Sequence, residues 1–367
     1  MSDENPDDSA LLEAVSAVLQ SECSLSDVRK YVSGDEGLSR TLWKQAIELG
    51  WLGIAAPEAY GGGGLDFRSL ATIYEQLGRH LAPISFLQAQ LCIDALIRVG
   101  TDMQKRNWLE PLIAGSIRGA VSLGDGALAL KLSRVGSLVR IDGTALIAHG
   151  HSVGLLVVFA RDVSGTLSAV VVDRKQSTVE VAPTRIHDGT RMLSLASFDA
   201  CEIPAENVLA EDGAAIQLED HLTDHAAIAL ACDSIGGAFA IFALTVEYLK
   251  TRTQFGRLIG SFQALKHRCA TLKVGLEASR AMLTAALEER EQHSGFSSAY
   301  ASLTKFHACD MYVTASAEAI QLHGGIGFTW ESPCHVFLKR AKLNQALFGD
   351  SAWHQDRAAR LLLSSAA

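Results

Sequence analysis

The spacing of the apolar residues changes twice along this chain, and each change marks a different kind of secondary structure. From about residue 11 to residue 114, apolar residues recur every three or four positions, which predicts helices. From about 120 to 209, short runs such as LLVVFARD and LSAVVVDR lack that period and predict β-strands separated by turns. From about 214 onwards, long stretches rich in Ala, Leu, Glu and Lys predict long, closely packed helices.

A division into three domains also suits the size of the chain. Its 367 residues, 48% of them hydrophobic, can bury more than one core. We therefore predict a mostly α protein with a β middle domain: helices over residues 1–116, antiparallel strands over 117–212 and a helical bundle over 213–367. Residues 57–64, with the sequence PEAYGGGG, interrupt the first helical region and are predicted to form a connecting loop.

The charge balance argues against two classes of partner. The formal charge is −9, from 41 acidic and 32 basic residues, and no long run of Lys and Arg is present. A surface that binds nucleic acid or an anionic membrane is therefore not expected. A small-molecule substrate or a protein partner fits this composition better.

The cysteines and the N-terminal residues indicate the compartment. Seven cysteines are spread singly without a C-x-x-C pair, which predicts reduced thiols and neither a metal site nor a disulfide framework. The first ten residues, MSDENPDDSA, lack the basic and apolar regions of a signal peptide. No uncharged apolar stretch has the length of a membrane span. We expect a cytoplasmic protein.

Two stretches of the last region contain residue types that are costly in an ordinary helix. Residues 252–263 read RTQFGRLIGSFQ, and residues 321–328 read QLHGGIGF. An arginine beside exposed backbone N–H groups is what a pyrophosphate needs, because the guanidinium can bond two oxygens while the amides add partial positive charge. The alternative is that Gly256 and Gly324 only end helices.

Together the two stretches resemble motifs of the acyl-CoA dehydrogenases. That family carries R-x-x-F-G followed by F-Q or H-Q, and further on Q-x-x-G-G-x-G-F/Y. In the N-terminal half, LWKQAIELGWLGIAAPEAYGGGGLDF resembles the family's W…ELG…PE-x-Y-GG-x-G stretch, and FDACEIPAENVL resembles the end of its β domain. The resemblance spans roughly residues 40 to 350.

The resemblance implies a fold and a cofactor. The family fold is a helical domain, a β domain and a four-helix bundle, assembled as tetramers with FAD lying across a dimer interface. One subunit holds the isoalloxazine ring, and its neighbour supplies the two C-terminal motifs to the ADP end. Carried onto this chain, Arg252 should pair with the flavin pyrophosphate. Phe255 and Gln263 should line the same groove. Gln321, Gly324 and Gly325 should hydrogen-bond or closely approach the ADP moiety.

The chain departs from the family at the catalytic base. In the family a carboxylate removes the α-proton of an acyl-CoA thioester while a hydride moves from the β-carbon to the flavin. Phe348 stands at the usual glutamate position, and Ala226 stands at the alternative position near the start of the first bundle helix. We therefore predict no catalytic residue in this chain, with Asp350 and His225 as the nearby candidates for a substitute base.

The stretches that would hold the flavin ring also depart from the family. Where other members carry a T-E-P-x-A-G-S-D loop, this chain reads SLGDGALALKLSR from Ser122. Where they carry a W-I-T strand, it reads TALIAHGHSVG from Thr144. The sequence thus keeps the residues for the ADP end and loses the ring pocket and the base.

Such an asymmetry resembles the non-catalytic subunit of bacterial α2β2 acyl-CoA dehydrogenases, many of which act on steroid CoA thioesters. The hypothesis implies FAD shared with a homologous catalytic subunit, α,β-desaturation of an acyl-CoA, and an electron-transfer flavoprotein as acceptor. Two alternatives remain open. One is a self-sufficient homo-oligomeric dehydrogenase with an unusual base, and the other is a flavin-free acyl-CoA-binding scaffold.

Overall fold

A computed structural model describes residues 6–122, 130–148 and 152–365. The N-terminal part is helical, and short polar side chains begin several of its helices: Ser24 accepts from the Asp27 backbone N–H, and Asp66 accepts from that of Ser69. A π-helical turn, Lys105–Leu109, separates the last two helices. The helices are α1 Pro6–Glu22, α2 Leu25–Val32, α3 Gly37–Glu48, α4 Phe67–Arg79, α5 Phe86–Val99, α6 Asp102–Gln104 and α7 Glu110–Ile113.

The middle part is one twisted sheet with the order β6-β7-β3-β2-β4-β5-β8 and with β1 beside β4. Most pairings are antiparallel as predicted, but β1 and β2 each pair with β4 in parallel. Parallel pairing requires a long crossover, which the connections from β1 and β2 to β4 provide. The strands are β1 Gly119–Val121, β2 Leu130–Val135, β3 Leu138–Ile147, β4 Leu155–Arg161, β5 Leu167–Asp173, β6 Glu180–Thr184, β7 Leu193–Pro204 and β8 Val208–Glu211.

The C-terminal part is a bundle built around one long helix. Helix α8 packs against α4 on one side and α10 on the other, and a two-stranded hairpin follows it. The helices are α8 Asp212–Thr251, α9 Gln263–Glu291, α10 Ser297–His323, α11 Cys334–Ala346 and α12 Ser351–Ser365, and the hairpin strands are β9 Thr253–Gln254 and β10 Arg257–Leu258. The predicted fold class, mostly α with a β middle domain, is confirmed.

Helix α8 is the central core helix of the molecule. By length and apolar composition alone it could cross a membrane, but 78% of its most apolar window is buried inside the protein. Burial on all sides explains why the central part of this helix, residues 226–238, is almost entirely apolar and shows no single apolar face.

Helices α4 and α8 cross closely, and each helix has a glycine against the backbone of the other. A Cβ atom on Gly78 of α4 would lie 2.0 Å from the carbonyl oxygen of Asp233, and one on Gly236 of α8 would lie 1.9 Å from that of Glu75. Both distances are far below any real contact, so the two backbones touch only because neither residue has a side chain. This crossing sets the position of Asp233 in the centre of the protein.

The glycine-rich loop at residues 57–64 folds back on the segment before it. The backbone N–H of Gly63 donates to the Gly53 carbonyl oxygen, and that of Leu65 donates to Ile54. A Cβ atom on Gly62 would lie 2.0 Å from the Ala56 carbonyl oxygen. The glycines are thus explained by this close backbone packing, in agreement with a connecting role.

Candidate functional site

The first C-terminal motif forms a short hairpin directly after α8. Arg252 follows the last helical residue, and β9 and β10 pair across a turn made by Phe255 and Gly256. Both turn residues have positive φ angles, 54° and 74°, as a two-residue hairpin turn requires. The ring edge of Phe255 contacts Phe262, with 6.1 Å between centroids, yet Phe255 is 90% exposed. The hairpin therefore holds a large apolar side chain out from the surface.

The second motif ends α10 in a glycine-rich 3₁₀ turn, Gly324–Phe328. Gly324 has φ 62° and ψ −141°, a conformation that residues with a side chain avoid. A Cβ atom on Gly324 or Gly325 would meet nothing within 4 Å, whereas one on Gly327 would lie 2.4 Å from the Ile320 carbonyl oxygen. Gly327 is required by packing inside the chain. Gly324 and Gly325 instead leave open backbone at the surface.

The structure brings the two motifs together. The hydroxyl of Tyr248, in the last turn of α8, donates to the carbonyl oxygen of His323 at 3.3 Å, and the two rings stack with 4.3 Å between centroids. The ends of α8 and α10 thus lie side by side, which places the hairpin beside the glycine-rich turn. The six residues predicted for the ADP end are all exposed: Arg252, Phe255, Gln263, Gln321, Gly324 and Gly325.

Exposed apolar side chains belong to the same two segments. Leu258 lies in the hairpin, while Ile326, Phe328 and Trp330 lie in or just after the glycine-rich turn; Phe328 is 78% and Trp330 60% exposed. We call this surface, with the six residues above, the motif surface. An arginine, open backbone N–H groups and an apolar patch suit a surface that an anionic ligand and a second chain cover together.

Phe348 lies in a tight turn between α11 and α12. Phe348 and Gly349 have φ angles of 55° and 94°. Fully buried Lys305 donates from Nζ to the carbonyl oxygens of Gln345, at 3.0 Å, and Gly349. The Nε2–H of buried His354 donates to the Phe348 carbonyl oxygen at 2.9 Å. A buried ammonium group and an imidazole therefore fix the backbone at the position where the family carries its base, while the side chain there is apolar.

Ala226 and Phe348 border one hydrophobic cluster. Ala226 is fully buried in α8, and Phe348 packs on the edge of the cluster that contains it. Both positions where a base was sought therefore meet in the same apolar region, and neither side chain can accept a proton.

The two substitute candidates, His225 and Asp350, are both engaged in hydrogen bonds. Both ring nitrogens of fully buried His225 are occupied: Nε2 lies 2.9 Å from the Tyr74 hydroxyl, and Nδ1 lies 2.6 Å from Asp94 Oδ2. Burial lowers the pKa of His225, so the neutral imidazole donates from Nδ1 and accepts at Nε2. Asp350 is exposed and accepts from the Trp353 backbone N–H at 2.8 Å, which makes it the cap of α12.

A buried ionic cluster lies at the α4–α8 crossing. Asp233 accepts from Arg340 Nε at 3.1 Å and Nη2 at 2.5 Å, pairs with Arg191 Nη2 at 2.9 Å, and accepts from Asn344 Nδ2 at 2.7 Å. Burial alone would raise the pKa of the Asp233 carboxyl, but the two guanidinium groups outweigh it and hold that pKa below its usual range. The cluster joins α8, α11 and the segment before β7.

The cluster forms part of the wall of a cleft that opens to solvent, with about 810 Å³ of space including its open mouth. Residues from all three parts of the chain line it, including Leu87, Met192, Leu230 and Phe348. Phe348 also lines a second cleft, of about 1000 Å³, together with Asp350. The two expected walls of a flavin ring pocket cannot be placed here, because residues 123–129 and 149–151 lie outside the described residues.

Comparison with known proteins assigns both ends of the chain to one family. Residues 5–116 match the description "Acyl-CoA dehydrogenase, N-terminal domain", and residues 212–363 match "Acyl-CoA dehydrogenase, C-terminal domain". The acyl-CoA dehydrogenase IpdE2 of Mycobacterium tuberculosis is 32% identical over 333 residues, which cover 90% of this chain and 89% of that protein. The chain belongs to the acyl-CoA dehydrogenase family.

Solved structures agree with this assignment. The Tcur3481-Tcur3483 steroid ACAD superposes with a TM-score of 0.87 and 26% identity, covering 98% of both chains. Butyryl-CoA dehydrogenase from Megasphaera elsdenii superposes with a TM-score of 0.91 and 24% identity, covering 98% of this chain and 99% of that one, which supports the fold alone. The family and the fold that the resemblance implied are confirmed. Members of the acyl-CoA dehydrogenase family are oxidoreductases that bind FAD.

Several buried residues that stabilise this acyl-CoA dehydrogenase chain were not predicted from the sequence. Lys305 and His354 look like ordinary helix residues in sequence, and their partners lie in the Phe348 turn, so no local pattern marks them. Asp233 does carry a signal, because it interrupts the apolar run AAIALACDSIGG. A lone carboxylate in a helix that is otherwise apolar requires a buried partner.

Acidification should destabilise the Phe348 turn through His354. Burial and nearby Lys305 lower the pKa of His354 to about 3 from a usual 6.5. Because the folded-state pKa is depressed, this contribution is fully present above about pH 6.5 and is lost as the pH falls towards 3; at pH 5.5 the loss is about 1.4 kcal/mol. His354→Gln should therefore show a smaller fall in melting temperature between pH 7.5 and pH 5.5 than the wild-type protein. The exposed-site variant His267→Gln should match the wild-type fall, and an equal fall in all three proteins would contradict the assignment.

Proposed function

We propose that this chain is the subunit without a catalytic base in a flavin-dependent acyl-CoA dehydrogenase that introduces an α,β double bond into an acyl-CoA thioester. It pairs with a homologous subunit that carries the base and holds the flavin ring. The motif surface contributes the contacts to the ADP end of that shared FAD. An α2β2 assembly with an electron-transfer flavoprotein as acceptor completes the proposal.

One observation carries this proposal: this chain keeps the residues for the ADP end of FAD but has no proton acceptor at either base position. The six residues for the ADP end are assembled and exposed on the motif surface, whereas both base positions, Phe348 and Ala226, are apolar. Because the motif surface faces outwards, it contacts the ADP end of a flavin whose isoalloxazine ring is bound outside this chain. A neighbouring catalytic subunit supplies that ring pocket in our proposal.

The residues of the motif surface fit the ADP end of FAD. Arg252 offers a guanidinium group that can bond two phosphate oxygens, and the open backbone at Gly324 and Gly325 lets N–H groups approach the same anion. Bound FAD supplies the hydride acceptor of the reaction. This chain's part is to bind and orient the phosphate end, and to shield it from water with Phe255 and Phe328.

The exposed aromatic residues support a partner chain over the motif surface. Phe255 occupies a left-handed conformation and is 90% exposed. In the free chain, both its backbone conformation and the exposure of its ring to water therefore cost free energy. Burial of these rings against a second subunit would offset that cost. The naming of one relative as a pair, the Tcur3481-Tcur3483 steroid ACAD, supports an assembly of two different chains and a steroid-derived CoA thioester as substrate.

Arg252→Ala, made in a co-purified complex with the catalytic subunit, should weaken FAD retention by roughly 10- to 100-fold, because a charge-assisted bond to phosphate is lost. FAD released on dilution, followed by its fluorescence, measures this directly. The control is Arg360→Ala, which removes an exposed arginine paired with Asp356 on α12. FAD retention that is the same in both variants and in the wild-type complex would disprove the role of Arg252.

A further inference from the structure

We propose that a cavity between α4, α5, α8 and α9 binds an aliphatic α-amino acid, with Arg290 on its carboxylate and with Gln90 and Asp94 on its ammonium group. The cavity has about 480 Å³ of space including its open mouth. It shares none of its described lining residues with the two clefts at Phe348. The site therefore goes beyond the proposed function, because neither the motif surface nor the Phe348 turn takes part.

Arg290 presents an unpaired cation to the cavity. It lies in the last turn of α9, and its guanidinium covers the ring of Phe67, 4.0 Å from the centroid. Burial lowers the pKa of this guanidinium, which forms no ion pair and no hydrogen bond with the residues that the structure describes. A partly desolvated guanidinium held by an aromatic ring is oriented to receive a carboxylate, because that pairing replaces the water it has lost.

Two carboxylates near Arg290 already have other partners. Glu291, the next residue in the chain, pairs with Arg68 of α4. Asp224 of α8 accepts from Nη1 of Arg357 at 2.6 Å. Because both carboxylates are engaged, a ligand carboxylate can neutralise Arg290 without breaking an existing ion pair.

Helix α5 supplies two acceptors to the same cavity. Gln90 and Asp94 both line it, and because they are four residues apart their side chains lie on one face of the helix. Gln90 is 2% exposed, and its Nε2 donates to the Leu52 carbonyl oxygen at 2.9 Å, which orients the amide. Its Oε1 accepts no hydrogen bond within the described part of the chain. This oxygen is therefore free to accept from a ligand ammonium group.

Asp94 is kept ionised by two histidines. His225 Nδ1 donates to Oδ2 at 2.6 Å, and His221 Nε2 lies 3.1 Å from Oδ1 and 3.0 Å from Oδ2. Burial alone would raise the pKa of Asp94, but these hydrogen bonds outweigh it and hold that pKa well below its usual range. Each carboxylate oxygen has two lone pairs, so Oδ1 can still accept from a ligand ammonium group.

The remaining walls of the cavity suit an aliphatic side chain. Leu65, Leu70, Ile93 and Ile97 line it. Apolar walls with a few convergent polar groups, in a space of roughly 300–1,000 Å³, are typical of small-molecule sites. A ligand with both a carboxylate and an ammonium group satisfies Arg290 and the α5 acceptors together. A simple carboxylate or a simple amine leaves one of them without a partner.

Isothermal titration calorimetry of the full-length chain at pH 7.5 with L-leucine, isocaproate and isopentylamine tests the proposal. Isocaproate lacks the ammonium group of leucine, and isopentylamine lacks its carboxylate. Leucine should bind at least tenfold more tightly than either. Arg290→Gln should weaken leucine binding by roughly 10- to 100-fold and leave isopentylamine binding unchanged. Arg106→Gln, at an exposed arginine outside the cavity, should have no effect.

Asp94→Asn should give the reverse pattern, with weaker binding of leucine and isopentylamine and unchanged binding of isocaproate. The comparison of the three ligands on the wild-type chain stands even if this variant does not fold. Absent leucine binding, or equal affinity for all three ligands, would overturn the site. So would leucine binding that is indifferent to Arg290→Gln in a variant that melts like the wild-type chain. Arg290→Gln should leave the FAD content of the complex with the catalytic subunit unchanged, so a failure of leucine binding with that content intact counts against the amino-acid site alone.

Discussion

Replacing Asp233 with alanine should lower the free energy of unfolding by about 3–5 kcal/mol, because breaking a buried ion pair leaves an uncompensated charge in the interior. Here two guanidinium groups lose their shared carboxylate: the side chains of Arg340 and Arg191 are 2% and 18% exposed. Asn344 also loses its acceptor at 2.7 Å. Chemical denaturation monitored by far-UV circular dichroism measures the change.

A surface carboxylate provides the control for Asp233→Ala. Asp356 pairs with Arg360 on α12, and both side chains are about two-thirds exposed. Asp356→Ala should change stability by less than about 1 kcal/mol. The double variant Asp233→Ala/Arg340→Met should be less destabilised than the sum of its single changes, because it removes one of the unpaired charges. A loss for Asp233→Ala as small as that for Asp356→Ala would show that the cluster does not stabilise the fold.

Gly236→Ala should cost roughly 1–3 kcal/mol or more, since added atoms in a tight contact force the backbones apart. The new Cβ would lie 1.9 Å from the Glu75 carbonyl oxygen, and backbone cannot move as the end of a flexible side chain can. The shift would also displace Asp233, three residues earlier in the same helix. Thermal melting of the full-length chain, followed by circular dichroism, tests this.

The same helix offers a matched control. A Cβ atom on Gly213, in the first turn of α8, would meet nothing within 4 Å. Gly213→Ala should leave stability unchanged or raise it by up to about 1 kcal/mol, because alanine favours a helix more than glycine does. If Gly236→Ala melted at the same temperature as Gly213→Ala, the close crossing of α4 and α8 would be wrong.

The order of structural classes could be read from the sequence because local spacing determines it. Apolar residues at three- and four-residue intervals form helices, and the β-rich runs between residues 120 and 209 form strands, whatever the rest of the chain does. The parallel pairing of β1 with β4 could not be predicted from the sequence, because it depends on a connection that returns across the sheet. The α4–α8 crossing was also hidden, since Gly78 and Gly236 are far apart in sequence.

The candidate site was likewise only partly predictable from the sequence. The hairpin at Arg252 and the turn at Gly324 were recognisable because glycines at fixed offsets mark a special backbone. Their contact through Tyr248 and His323 follows from the packing of α8 on α10, which no local pattern records. His225 was a candidate base only by position in the sequence. The structure shows both of its ring nitrogens engaged, by Tyr74 and Asp94, which no spacing rule could reveal.

The composite-site proposal is tested most directly by co-expressing the chain with its homologous catalytic subunit and measuring FAD content and mass by light scattering, with the chain alone as control. We predict about one FAD for each pair of unlike chains, in a closed symmetric assembly, and little or none on the chain alone. A yellow, active homotetramer of this chain, with about one FAD per subunit, would contradict the proposal and would make Asp350 the next residue to replace.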